Sequence, residues 1–187
     1  MKAIIISGMP AAGKTTVSKI IAKRLGIAAL SAGDILKEMA KDRGYDPEGD
    51  DWWDTSDGIK FMKERETNPD FDRETDSRLL KKIRAGNIVV TSYTAPWIFK
   101  DEGFKVWLNA ESEKRAERMA VRDNTDLKQT IKTTKIRDEE NYKLYKKLYN
   151  MELGKDKVPF DMIVDTDNIP AAEVAEIIIR KLKEVDI

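Results

Sequence analysis

Nine consecutive residues carry the most specific chemistry in this chain. Gly8-Met9-Pro10-Ala11-Ala12-Gly13-Lys14-Thr15-Thr16 fits the pattern G-x-x-x-x-G-K-[ST]. Glycines at those places let the backbone wrap around phosphate oxygens with its N–H groups turned inward. In such a loop Lys14 reaches the β- and γ-phosphates, the Thr15 hydroxyl takes one position on magnesium, and Thr16 is a further phosphate contact. All nine residues, Gly8, Met9, Pro10, Ala11, Ala12, Gly13, Lys14, Thr15 and Thr16, are therefore expected to bind ATP or GTP. Ala11 stands where a glycine would be freer, and its Cβ is compatible with the loop if its φ stays negative.

Composition removes other chemistries. The 187 residues include no histidine and no cysteine, so no disulfide, Cys/His zinc site, cysteine nucleophile or Ser-His-Asp triad can form. The 34 Lys and Arg balance 34 Asp and Glu, so no overall positive field draws the chain to nucleic acid or an anionic membrane. No apolar run approaches the length of a membrane span or a signal core, and the expected location is the cytoplasm. GTPases would be expected to carry N-K-x-D, which is absent, and no apolar strand ends in Asp-Glu as in ATPase motors; Asp165, after Ile163-Val164, reads as a loop cap. A small ATP-dependent kinase is the economical reading.

A phosphate loop works only between a strand and a helix, and the flanks have that pattern. Strands are expected at Lys2–Ser7, Ala28–Ser31, Asn87–Thr91, Phe104–Leu108 and Met162–Asp165, mostly unbroken in Ile, Val and Leu. Helices are expected at Lys14–Leu25, Gly33–Arg43, Glu74–Arg84, Glu111–Arg122, Leu127–Tyr149 and Pro170–Val185, with Gly26 and Gly86 as C-terminal stops. This alternation predicts one α/β domain, a doubly wound parallel five-stranded sheet with helices on both faces. Two stretches depart from the rhythm. Asp46–Asp57 holds six acidic residues and no basic one, with Trp52 and Trp53 expected to pack rather than to stack on bases, and a polar helical segment follows it to Pro69. From Lys128 to Lys147, seven Lys or Arg face three acidic residues, which suits either a surface helix or an anion clamp.

Several further pieces occur in a characteristic order: Ser31-Ala32-Gly33-Asp34-Ile35-Leu36, Asp72-Arg73-Glu74-Thr75-Asp76-Ser77-Arg78, Gly86-Asn87-Ile88-Val89-Val90, Arg115-Ala116-Glu117-Arg118, Arg137-Asp138-Glu139-Glu140 and Tyr145-Lys146-Lys147-Leu148-Tyr149. Together with the phosphate loop they resemble the nucleoside monophosphate kinases, most closely the archaeal-type cytidylate kinases, over essentially the whole chain. The resemblance implies a monophosphate-binding insert at about 34–84, a lid at about 123–147, ATP with Mg2+ as donor, and CMP or dCMP as acceptor. It implies acceptor-side roles for Ser31 and Asp34, for Lys37 in place of an arginine, for Arg73 and Arg78 at the acceptor phosphate, and for Asp72 or Asp76 at the cytosine amino group. Arg118, Arg122 and Arg137 become the arginines that act with Lys14 on the transferring phosphoryl group, while Arg115 reads as a surface position. A monomer is expected. An acceptor that is already an anionic phosphate oxygen needs no general base, which suits a histidine-free chain.

The chain also departs from the family. After Val89-Val90, where relatives continue with an acidic residue, a glycine and an arginine, it has Thr91-Ser92-Tyr93-Thr94; the second lid arginine is Leu144. Two other readings therefore stand beside the first: a kinase for another small acceptor such as AMP or a non-nucleotide, and a nucleotide-binding regulatory module without transfer activity.

Overall fold

The structure is a computed structural model that describes residues 1–49, 52, 55–68 and 70–186. Strand β1 (Ala3–Gly8) is buried along its whole length, and its alternate side chains enter two different cores. Ile4 and Ile6 pack under α1 (Lys14–Leu25) and α8 (Ala171–Glu184), while Ala3 and Ile5 face α2 (Ala32–Asp42) and α4 (Asp70–Arg84). Period-two burial on both faces is why the strand reads as an unbroken apolar run. The other strands are β2 (Ala28–Ser31), β3 (Ile88–Thr91), β4 (Gly103–Asn109) and β5 (Met162–Asp165), and the sheet is parallel throughout in the order β2-β3-β1-β4-β5. That is the expected doubly wound architecture.

Register brings the functional ends together. Ile6 pairs with Thr91, Ser31 with Thr91, Gly8 with Leu108, and Asn109 with Asp165, so the loops after all five strands open at one edge. Because β1 lies between β3 and β4, chain order reverses beside it, and the crevice at such a switch point is where open α/β sheets bind ligands.

Two local features, the start of α4 and a short helix after β3, differ from the expected elements, while the helical segment before Pro69 and the packing of Trp52 agree with them. Helix α4 starts at Asp70 and not at Glu74, because the Asn68 side chain accepts the Asp70 N–H at 3.0 Å and caps the earlier turn. A separate helix, α3 (Ser56–Thr67), precedes it and is capped by the Thr55 hydroxyl. A short helix, α5 (Ala95–Ile98), follows β3; the Ser92 hydroxyl accepts the N–H groups of Thr94 and Ala95 and starts it. Trp52 is buried against Phe61 and Tyr45, which is the packing role expected of it; Trp53 lies outside the described residues.

Helix α6 (Ser112–Asp123) and the 23-residue α7 (Leu127–Tyr149) pack side by side, with Thr134 buried against Met119. Among the described residues no helix is long and apolar enough to cross a membrane.

Candidate active site

The phosphate loop leaves β1 at Gly8, whose φ is +155°; a Cβ there would stand 2.6 Å from the Leu108 carbonyl oxygen, so only glycine fits. Gly13 turns the chain into α1 at φ +95°. Ala11 corrects the sequence expectation: its φ is +60°, in the left-handed region, and the loop holds the alanine there at a cost of about 1–2 kcal/mol.

Lys14 folds back over the loop. Its Nζ donates to the carbonyls of Gly8 (2.8 Å) and Met9 (2.9 Å) and lies 4.8 Å from the centre of the Tyr93 ring. Desolvation, reinforced by the Arg115 charge, lowers its pKa to about 7. An arriving phosphate would supply the anion that this ammonium lacks. Beside it, Thr15 and Thr16 are exposed in a 350 Å3 cavity that Arg118 and Arg122 also line.

The four arginines of this region differ sharply. Arg118 donates to the carbonyls of Ala11 and Thr166, joining the loop to the end of β5, and lines a second cavity of 280 Å3 with Val17, Ile169, Pro170 and Val174. Arg122 is held by Asp123 through two bonds of 2.6 and 2.8 Å. Arg137 opens onto a third cavity, of 550 Å3, with Arg122, Tyr93 and the loop residues Pro10 and Ala11. Arg115 is not a surface residue: it is 3% exposed, donates to the Pro10 carbonyl at 3.3 Å and forms a two-bond ion pair with Asp138 of α7 (3.0 and 2.5 Å). Its signal in the sequence was a charge on the same helical stripe as Ala116, Met119 and Ala120.

The acceptor-side residues divide. Ser31 and Asp34 form a capping box that starts α2, with the Asp34 carboxylate accepting from the Ser31 N–H and hydroxyl at 2.7 Å each. Lys37 donates to the Gly49 carbonyl at 2.7 Å. Arg73 is paired with Asp70 on an exposed surface, and Arg78 bridges Asp42 and Glu74; neither lines the cavities around the phosphate loop. Asp72 accepts from Arg65, and Arg65 lines the 550 Å3 cavity. Asp76 is the most enclosed of the set: Thr94 donates to one carboxylate oxygen (2.7 Å) and Tyr149 to the other (2.5 Å). Desolvation pushes its pKa up against those two bonds. The rings of Tyr93, Tyr145 and Tyr149 stack in sequence beside it, with centres 5.5 and 6.3 Å apart, and burial raises the pKa of each phenol. Asp165 accepts the Asp167 N–H, the loop-capping role expected of it.

A phosphate loop at the switch point of a parallel sheet, with arginines facing it, defines the P-loop kinases. Solved structures agree on the fold. Shikimate kinase from Aquifex aeolicus superposes with a TM-score of 0.58 at 20% identity over 99% of this chain and 98% of its own, and an uncharacterized protein from Eubacterium ventriosum reaches 0.72 at 18% identity over 98% and 99%. Within that class the chain belongs to the cytidylate kinase-like family, which residues 3–168 match. Cytidylate kinase from Pyrobaculum islandicum is 34% identical over 89% of this chain and 84% of its own length, and the cytidylate kinase from Archaeoglobus fulgidus is 32% identical over 96% and 94%. These likenesses do not favour the non-nucleotide acceptor or the regulatory module.

Proposed function

We propose that the protein transfers the γ-phosphoryl group of ATP to a nucleoside monophosphate, CMP or dCMP, giving a nucleoside diphosphate and ADP. One observation carries the reading: Pro10 and Ala11 of the phosphate loop and three arginines from three helices (Arg65, Arg122 and Arg137) line one cavity large enough for a phosphate-bearing ligand, and its Tyr93 ring lies against Lys14. The family relationship supports the same acceptor class.

In this reading the donor phosphates lie on the loop N–H groups and the N-terminus of α1, and Lys14 exchanges the Gly8 and Met9 carbonyls for β- and γ-phosphate oxygens. The apolar 280 Å3 cavity takes the adenine, with the flat Arg118 guanidinium at its edge. An oxygen of the acceptor phosphate bonds to the γ-phosphorus as the bond to the β–γ bridging oxygen breaks, so no side chain has to remove a proton. Arg122 and Arg137 offset the charge that the transfer redistributes. Among the described residues no cluster of acidic side chains forms a metal site, so the fit for magnesium rests on the exposed Thr15 hydroxyl with phosphate oxygens and water. Bound there, the ion neutralises phosphate charge. Helices α2 to α4 serve as the monophosphate insert and the 123–147 segment as the lid, whose closure excludes water. In this reading the enzyme works in the cytoplasm as a monomer.

A coupled ADP-release assay over CMP, dCMP, UMP, AMP and GMP tests the proposal. Turnover that depends on CMP or dCMP is expected; no acceptor-dependent ADP release with any of the five would overturn it.

A further inference from the structure

Tyr93 stands two residues beyond β3, and its ring lies against Lys14. The same tyrosine lines the 550 Å3 cavity, from which Lys14 itself is absent, so a dianionic phosphate entering there must be held by the arginines of the lining.

Arg65, one turn beyond Met62 on α3, is one of them, and both side chains line the cavity. The guanidinium is held along one edge only. Its Nε and Nη2 both donate to the same oxygen of Asp72, at 3.0 and 2.7 Å, so Nη1 makes no hydrogen bond among the described residues. The side chains of the pair are 25% and 28% exposed, which makes the contact firmer than a solvated surface pair. A planar fork fixed on one side and open on the other is set up to bind an anion, which a lysine at that place could not match. Arg137 lines the same cavity and makes no ion pair with a described residue, so it adds a second positive charge to a lining whose one acidic residue is Glu140.

From this geometry we infer that Arg65, in the last turn of α3, is a ligand of the acceptor phosphate and that Asp72 is the positioning residue that aims it. The inference rests on the monophosphate kinase reading and adds a residue that would hold its acceptor.

Kinetics with CMP as the varied substrate test it. R65M should raise the acceptor KM roughly 10- to 100-fold, the range expected for losing a hydrogen-bonded charge, while the ATP KM stays within about twofold. R65K should fall between the two, and D72N should raise the acceptor KM by a smaller factor. Placing a charge elsewhere in the same lining, with Y93R added to R65M, should recover part of the lost affinity. A purely structural brace between α3 and α4 would lower the melting temperature of R65M and leave the acceptor KM unmoved, and that result overturns the inference. Should R65M fail to fold, an R65K enzyme with wild-type acceptor KM overturns it equally. Direct calorimetric binding of CMP separates the two readings: wild-type binding without turnover counts against phosphoryl transfer, and its loss in R65M still places Arg65 on the phosphate.

Discussion

The two halves of the cleft are built from different material. The donor half is main chain: Gly8 and Gly13 supply the unusual backbone angles, nine adjacent residues contain nearly the whole site, and Lys14 rests on the carbonyls of its own loop. The proposed acceptor half is side chain: Arg65 comes from α3, Asp76 from α4, Tyr93 from the loop after β3, Arg137 from the middle of α7 and Tyr149 from its C-terminal end. A site made of backbone tolerates few substitutions but needs only local folding. One made of side chains can be reassigned residue by residue, provided that distant helices keep their places.

The sharpest test of this contrast is at Lys14. Lys14→Ala should lower turnover by about 100-fold or more in the coupled assay, with the fold unchanged by circular dichroism, since the lysine works on phosphate charge and not in the core. Turnover like the parent's would show that the donor half does not depend on it.

Next comes the join between the halves. Arg115 holds Pro10 of the loop and Asp138 of α7, so Asp138→Ala strands a buried guanidinium and should cost about 3 kcal/mol or more in denaturant unfolding. Replacing both partners with apolar residues should recover much of that stability but leave the loop no longer tied to α7, and a raised ATP KM would report the loss.

A third measurement uses pH. Lys14, lowered to about 7 in the free protein, should regain its ordinary basicity beside phosphate. ATP binding should then take up about one proton near pH 8.5 and progressively fewer as pH falls below 7, where the lysine is protonated in both states. Calorimetry in buffers of different ionisation heat reads this directly; uptake that does not change with pH would contradict the lowered pKa.

The smallest expected effect lies within the loop. Ala11→Gly relieves the left-handed alanine and should stabilise the protein by about 1 kcal/mol, roughly 2–4 °C in melting temperature. No change would mean that the surroundings already absorb the strain.

How much of this could be read from the chain follows the same division. The loop, the five strands and the long helices show in local pattern because period-two burial and glycine geometry act over a few residues. Arg65 gave no such sign: its partner Asp72 lies seven residues on, and its significance depends on a cavity closed by Tyr93 and Arg137 from elsewhere. Arg73 and Arg78 looked equally suitable by motif, yet α4 turns them toward Asp70, Asp42 and Glu74. Arg115 was legible in principle, because a charge on a buried stripe demands a partner, but only the tertiary structure names Asp138.

Asp76 has a mechanical consequence. Its two oxygens hold Thr94 and Tyr149, so one carboxylate pins α4 to both the loop after β3 and the C-terminal end of α7. Any swing of the C-terminal end of α7 away from α4, as the proposed lid motion would require, must pull a phenol off that carboxylate. Tyr149 is in effect the latch, and the exchange rate of the amides around Asn150 is the clock by which its release can be timed.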